Sequence, residues 1–386
     1  MRRMNIGLVG CGFAATLHAE SYQKVYGYDI QLKGVADPSE KREAFARKYG
    51  ITYCYDTLEE MLKNNEIDVI DICTPPCFHV DMVKQSMLAG KHVICEKPIT
   101  GYFDGDGEIG NTVDRQMMFN KVMKELEDLK QFLQSTDRIF MYAENFIYAP
   151  SIRKSKEFLE KTKNKILFLK GEESHSGSHA SHAALWRYTG GGSFMRQGCH
   201  PLSAILYLKN IEAQARGEQI TVTSVMGDVG NTLRSVGKEE RRFIAAHPVD
   251  VEDCANVILT FSDGTKANIV AGDMVVGGVK NLVEVYTTAG VYLCHIAQND
   301  QMKVYHVTEE NLRDVYITEK VETKCGWQEV CIDEEFVRGY VGELQDFMQC
   351  IDKDTQPESN FQLAYDTAKV IYAAYLSAEL GKRIDL

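Results

Sequence analysis

The sequence predicts an α/β chain in two parts: a doubly wound parallel sheet, then an α+β part built on a large, open, mostly antiparallel sheet. Three observations predict it. The first third alternates short β-rich runs with helical patterns, as parallel strands joined by crossover helices do. Two of those runs, 69–73 and 92–95, are nearly continuous apolar stretches, which strands covered on both faces require. After Tyr148-Ala149-Pro150 several β-rich runs follow one another through short turns such as Ser262-Asp263-Gly264, which favours antiparallel pairing.

The elements follow in order. The first part reads as a strand at 5–9, a helix from about 14 to 25, a strand at 32–36, a helix from about 39 to 49, a segment at 57–64, a strand at 69–73, a helix from about 79 to 89 and a strand at 92–95. A stretch rich in glycine and acid at 100–111 reads as a surface loop, followed by a charged helical segment to about 134 and a strand at 138–143. The second part reads as a helix to about 161, a strand at 166–171, a His-rich segment and a helix after His200. Strands at 221–226, 254–261, 265–271, 282–287, 290–295 and 302–307 come next. A helix at about 360–380 closes the chain, with Leu363, Ala364, Ala368, Ile371 and Leu376 as its apolar stripe. The expected division is 1–147, with an insertion at about 100–125, and 148–386.

Composition narrows the function. The 386 residues are 44% hydrophobic and 25% charged, enough apolar material for two cores and unlike disordered, collagenous or coiled-coil chains. Acidic residues number 55 against 43 basic ones, a formal charge of -12, so neither nucleic acid nor an anionic membrane is expected as a partner. Eleven cysteines with no CxxC pair read as reduced thiols of a cytoplasmic protein. The start imitates a lipoprotein signal ending at Cys11, but only residues 6–10 separate the polar start from that cysteine. A signal core needs roughly 7–15 apolar residues, and no later run approaches the roughly 18 of a membrane span.

Gly10-Cys11-Gly12-Phe13-Ala14-Ala15 follows an apolar strand and opens a helix, and Asp37 closes the next strand. Strand, turn, helix and terminal acid together form the dinucleotide fingerprint in the context it requires. Gly10 permits the tight turn, Gly12 lets backbone approach the pyrophosphate, and the helix start offers free N–H groups to it. Asp37 accepts from ribose hydroxyls and repels a 2′-phosphate, which favours NAD; Lys41 and Arg42 keep NADP as the lesser alternative.

Thr74-Pro75-Pro76-Cys77-Phe78-His79 and Glu96-Lys97-Pro98 sit at the carboxyl ends of two predicted parallel strands, where open α/β sheets bind ligands. With Gly190-Gly191-Gly192, Gly198-Cys199-His200 and the ending through Glu343, Phe347, Pro357 and Ser377, the chain resembles the Gfo/Idh/MocA family of nicotinamide-dependent oxidoreductases. Those enzymes act mostly on sugars, glycosides and inositols. The resemblance implies a Rossmann first domain holding NAD through Gly10, Gly12, Phe13, Ala14, Asp37, Thr74, Pro75, His79, Glu96, Lys97 and Asn145. It places Lys97 beside the nicotinamide and the reacting hydroxyl, taking the proton once burial and nearby positive charge lower its pKa. Pro98 is then expected in the cis form, and His200 shares the proton or orients the hydroxyl.

The family commonly has aspartates four residues before and three after that histidine; this chain has Arg196 and Ser203. Arginine cannot act as base. At helical spacing it would share a face with His200, lowering the Lys97 pKa and binding substrate, or it would turn outward. The segment carrying His175, His179 and His182, with Trp186 and Arg187, is expected to line the sugar rather than hold a metal, and Trp186 either stacks on the sugar or plugs the domain interface. Tyr148 is expected near the nicotinamide and the substrate. The resulting expectation is an NAD-dependent dehydrogenase for a secondary ring hydroxyl of a sugar, glycoside or cyclitol, forming a homo-oligomer through its second sheet. A lyase or hydrolase using NAD transiently and a silent NAD-binding sensor are the rival readings.

Overall fold

The computed structural model describes residues 2–296, 302–309, 312, 315–331 and 333–386. Six strands, β1 (Arg2–Val9), β2 (Tyr28–Ala36), β3 (Tyr53–Tyr55), β4 (Val69–Ile72), β5 (His92–Glu96) and β6 (Phe140–Ala143), form one sheet in the order β3-β2-β1-β4-β5-β6. Every pairing in it is parallel. The crossovers carry α1 (Phe13–Tyr22), α2 (Lys41–Tyr49), α3 (Leu58–Leu62) and α4 (His79–Leu88). The segment at 57–64 is thus helical, and Thr57 caps it by accepting from the Glu60 N–H at 3.3 Å. Chain order reverses between β1 and β4, which opens a crevice at their carboxyl ends. Val9 pairs with Ile72 there, so Gly10 lies against Cys73. Its φ is 97°, and a Cβ would meet the Cys73 carbonyl oxygen at 2.6 Å, so only glycine fits this turn.

Two helices fill the insertion, α5 (Ile109–Thr112) and α6 (Arg115–Gln134). Asp114 caps α6 by accepting from the Met117 N–H at 2.9 Å, and Met118, Val122, Leu126 and Leu129 form its buried face. Beyond β6 come α7 (Pro150–Thr162), β7 (Ile166–Ser174), α8 (Trp186–Thr189) and α9 (Cys199–Arg216). Then follow β8 (Val222–Gly230), β9 (Cys254–Phe261), β10 (Lys266–Gly272), β11 (Lys280–Thr287), β12 (Gly290–His295), β13 (Lys303–His306) and β14 (Gly326–Glu329). The chain ends through α10 (Glu334–Val337), α11 (Tyr340–Lys353), α12 (Phe361–Leu380) and β15 (Ile384–Asp385).

The second sheet has the order β12-β11-β7-β10-β9-β8-β15. All its pairings are antiparallel except β7 with β10, because the chain crosses over through α9 between them. The run expected as a strand at 302–307 does not join this sheet; β13 pairs with β14 in a separate two-stranded ribbon. Alternation assigns the faces. Leu169, Val257, Leu259, Ile269, Val283 and Val285 are buried on the side where α7, α9 and α12 pack. Met226, Ile258, Val291 and Leu293 stand on the other side, each 44–60% exposed.

Helix α12 packs against both α6 and β8. The Tyr372 hydroxyl accepts from the Tyr102 N–H at 2.5 Å and donates to the Gly190 carbonyl at 2.7 Å, tying the insertion to the glycine run. The insertion is therefore docked on the body of the protein. The Gly110 and Trp186 N–H groups donate to the two carboxylate oxygens of Asp250 at 2.9 and 2.8 Å, and Arg115 lies 4.2 Å over the Trp186 ring.

Candidate active site

Helix α1 begins directly after the glycine turn, with no side-chain cap and no acid in its first turn. Its first N–H groups are thus open to an anion. A Cβ on Gly12 would meet nothing within 4 Å, so that glycine leaves a cradle which packing alone does not demand. The cradle fits a pyrophosphate. Asp37 closes the turn from the side: its carboxylate accepts from the Cys11 N–H at 3.0 Å and from the Ser39 N–H and hydroxyl at 2.8 and 2.6 Å. A carboxylate offers about four lone-pair positions, which leaves capacity for a ribose hydroxyl. Arg42 is held by Asp56 at 2.5 Å.

A cavity of about 290 Å³ continues from Phe13 and Ala14 past Thr74, Glu96 and Lys97 to His200 on the second part of the chain. The Lys97–Pro98 peptide is cis, as expected. Lys97 is half-buried, and its Nζ donates to the Arg196 carbonyl oxygen at 2.8 Å. Burial works against the ammonium, but Cys199, Glu96, Glu173 and Glu144 outweigh it and raise the Lys97 pKa above the ordinary lysine value. The expected lowering depends on the positive charge of bound oxidised nicotinamide, and the chain's own carboxylates act in the opposite direction. Burial also opposes charge on Glu96, yet His18, Lys97 and His200 hold that carboxyl down at about 2.

The turn carrying Arg196 is π-helical over Phe194–Gly198 and runs straight into α9; such turns cluster at functional sites. The Arg196 guanidinium pairs with the buried Asp273, which also accepts from Gln197. The outward turn expected as one alternative for Arg196 does not occur. Its side chain is held by Asp273 at the cavity wall, and it is its backbone carbonyl that positions Lys97. His200 Nδ1 lies 2.6 Å from Glu144 Oε1, and its ring stacks on Phe146 at 4.5 Å between centroids. Nε2 is left to meet a ligand in the cavity.

The histidine-rich segment spreads out. His175 is buried on the cavity wall, where its Nδ1 accepts from the Gly177 N–H at 2.8 Å. Burial, with Lys320, Arg196 and Arg338 nearby, pushes its pKa down to about 2, so the ring is neutral and presents Nε2–H. His182 lines the cavity, whereas His179 lines a smaller hollow beside Arg196 and Asp273. The three do not converge on one point.

Other expected contacts are placed differently. Trp186 is 1% exposed and packs on Tyr375 at 4.9 Å, so it plugs the interior and presents no face to a sugar. The Tyr148 hydroxyl donates to Asp346 at 2.6 Å and accepts from the Ser359 N–H at 3.0 Å, which turns it away from the cavity. Arg187 lies 5.0 Å over the Tyr188 ring and is absent from the cavity wall. Asn145 donates to the Arg338 carbonyl at 2.9 Å. The His79 ring nitrogens each lie 2.8 Å from a carbonyl oxygen, those of Pro98 and Thr74, so His79 ties the two loops together behind the cavity. Pro75 precedes the 3-10 turn whose Pro76 lines the cavity.

A buried charge cluster lies beneath these loops. His18 Nδ1 is 2.8 Å from Asp71, and Nε2 is 3.3 Å from Glu96 and 3.9 Å from Glu343. Burial disfavours charge on His18, but Asp71 outweighs it and raises the pKa well above the ordinary value. Glu343 is fully buried and its pKa is raised well above the ordinary 4.5, mainly by desolvation. Among the described residues, two buried trios bring metal-ligating atoms together: His18, Asp71 and Cys73, and Glu144, Cys199 and His200. In each a cation is already at hand, His18 itself and Lys97 respectively.

Among the buried polar atoms of residues that line the cavity, Glu173 Oε2, Gln197 Oε1, Arg196 Nε and Arg338 Nη2 have no hydrogen-bond partner. Buried polar groups are rarely left so, and these include both acceptors and donors.

Comparison with known proteins gives the lineage. The profile of the oxidoreductase family with an NAD-binding Rossmann fold, GFO_IDH_MocA, matches residues 4–116, and that of the GFO/IDH/MocA C-terminal domain matches residues 165–293. The chain belongs to the GFO/IDH/MocA oxidoreductase family. A levoglucosan dehydrogenase of Pseudarthrobacter phenanthrenivorans is 22% identical over 413 residues, covering 100% of this chain and 99% of the relative. An uncharacterised oxidoreductase of Synechocystis is 35% identical over 100 residues, 25% of this chain and 26% of its own length. Among solved structures, GenD2 from gentamicin A biosynthesis in complex with NAD superposes with a TM-score of 0.80 at 19% identity, over 100% of this chain and 97% of that one. No helix among the described residues is long and apolar enough to cross a membrane.

Motif reasoning missed Glu144, Glu173, Glu319, Lys320, Arg338 and Tyr340. Glu144 carried a usable signal: like Lys97 it closes a parallel strand at its carboxyl end. The stretch from Glu319 to Tyr340 carried none, because its approach to the cavity depends on how the chain returns from the second sheet.

Proposed function

We propose that this family member is an NAD-dependent dehydrogenase for a secondary ring hydroxyl of a sugar, glycoside or cyclitol. One observation carries the reading: Lys97 and His200 line the same cavity, which opens at the start of α1. The cofactor, bound along that cradle, supplies the hydride acceptor. Lys97, an ammonium in the resting chain, donates to the reacting oxygen and stabilises its developing negative charge. His200 Nε2 takes the hydroxyl proton, while the carbinol hydrogen leaves as hydride with its electron pair and the C–O bond becomes C=O.

The unpartnered Glu173, Gln197, Arg196 and Arg338 atoms suit hydroxyl groups, which donate and accept at once. Asp37, with Arg42 held by Asp56, supports NAD over NADP. On this reading residues 1–147 hold the cofactor and 148–386 the substrate, and the open face of the second sheet pairs with another copy of the chain.

The test is to incubate the protein with NAD, or separately NADP, and a panel of levoglucosan, methyl glucosides and inositols, following NADH absorbance and substrate mass. NADH formation with a two-dalton loss from substrate, faster with NAD, is the expected result. A changed substrate without NADH points instead to a transient redox cycle. NAD binding without any turnover points to a sensor.

A further inference from the structure

The His200 helix supplies no carboxylate to its own histidine. Four residues before it, Arg196 pairs with Asp273; three residues after it, the Ser203 hydroxyl lies 2.9 Å from that of Thr367. The partner comes instead from the other sheet. Glu144 stands at the carboxyl end of β6 with its side chain fully buried, and its Oε1 lies 2.6 Å from His200 Nδ1. The Phe146 N–H at 3.3 Å holds the same oxygen. Phe146 in turn presses its ring flat on the imidazole, 15° from parallel, so one short stretch of chain fixes both the plane of the histidine and the direction of its Nδ1. Glu144 Oε2 is buried and has no partner.

We infer that Glu144 is a positioning residue, acting through His200, that keeps the proton of the neutral imidazole on Nδ1 and aims a bare Nε2 at the substrate hydroxyl. The inference rests on the reading of His200 as proton acceptor. The physical reason is direct. A carboxylate within hydrogen-bond distance accepts and does not donate, so the ring nitrogen facing it carries the hydrogen and the opposite nitrogen keeps its lone pair. When the substrate O–H bond breaks and its proton joins Nε2, the imidazolium forms beside a fixed negative charge, and the second proton stays on Nδ1.

Two measurements test it. The first is the ¹⁵N spectrum of the histidine rings in the wild-type protein, with the His200 signals assigned by their loss in His200→Ala. In the neutral ring, protonation at Nδ1 is expected, and protonation at Nε2 overturns the inference whether or not any substrate is known. The second is a kinetic cycle on the fastest substrate of the panel. Glu144→Gln keeps the shape and is expected to lower kcat roughly a hundredfold, with KM and the NAD dissociation constant within about twofold. Placed on top of His200→Ala, it is expected to cost less than about twofold more. Equal cost in both backgrounds, or an unchanged kcat in Glu144→Gln, overturns the inference alone. Full turnover by His200→Ala overturns the proton-acceptor reading and the inference with it.

Discussion

Lys97 and Glu343 show how burial acts differently on two ionisable groups a short way apart. Lys97 keeps its charge because Glu96, Glu173 and Glu144 surround it; its hydrogen bond to the Arg196 carbonyl fixes the Nζ. Lys97→Met is expected to lower kcat by about 10²–10⁴-fold while leaving NAD affinity, read by fluorescence titration, near wild type. Burial instead disfavours charge on Glu343, neither of whose oxygens has a hydrogen-bond partner. Its folded pKa is raised above the unfolded value near 4.5, so between the two the folded state holds a proton that the unfolded state has released. Stability from this group therefore falls as pH rises above about 4.5. Glu343→Gln mimics the protonated acid and does not titrate. Its melting temperature is expected to exceed that of wild type by a margin that widens from pH 5 to pH 9; a margin that stays constant across that range would sink the assignment.

The π-helical turn before α9 is the element on which the two sides of the cavity meet. It offers a backbone carbonyl to Lys97, while its Arg196 side chain pairs with Asp273, an acid only 2% exposed. Arg196→Ala is expected to cost about 3 kcal/mol of unfolding free energy, because it strips the cation from a buried carboxylate. Urea denaturation measures the loss, and adding Asp273→Asn to the variant should recover much of it. The glycine turn and the Glu-Lys-Pro loop were legible in the sequence because each is a local pattern in a fixed relation to a strand end: Gly10 needs positive φ, and Lys97 follows β5 directly. The histidine segment was less legible. Three histidines at short spacing suggest one cluster, yet the chain leaves β7 with His175 on the cavity wall and places His179 in a different hollow.

Across the whole molecule, α12 links the two sheets, packing on α6 and β8, and the second sheet leaves one face open. On that face Met226 and Ile258 are paired across β8 and β9, and Val291 and Leu293 stand on β12 at the far edge, exposed apolar side chains of the kind a partner surface covers. A light-scattering mass at a multiple of 43.5 kDa is expected for the wild type. Ile258→Lys, which places a charge at mid-sheet opposite Met226, is expected to shift the protein toward monomer; a wild-type monomer at micromolar concentration would rule the pairing out.

The family resemblance placed His200, whereas the sequence by itself determined the doubly wound first sheet, the open second sheet, the nucleotide turn and the strand-end position of Lys97. Each is written in short-range patterns of apolar period, glycine and strand-end residues, which local sterics and hydrogen bonding enforce. Tertiary structure alone decided that Trp186 is a plug and that Arg196 serves Lys97 through its backbone. It also decided that Glu144 meets His200 and that Arg338 reaches the cavity. Those outcomes join segments dozens to hundreds of residues apart, and a side chain's partner across such a distance is set by how the sheets and helices pack, for which the local sequence carries no code.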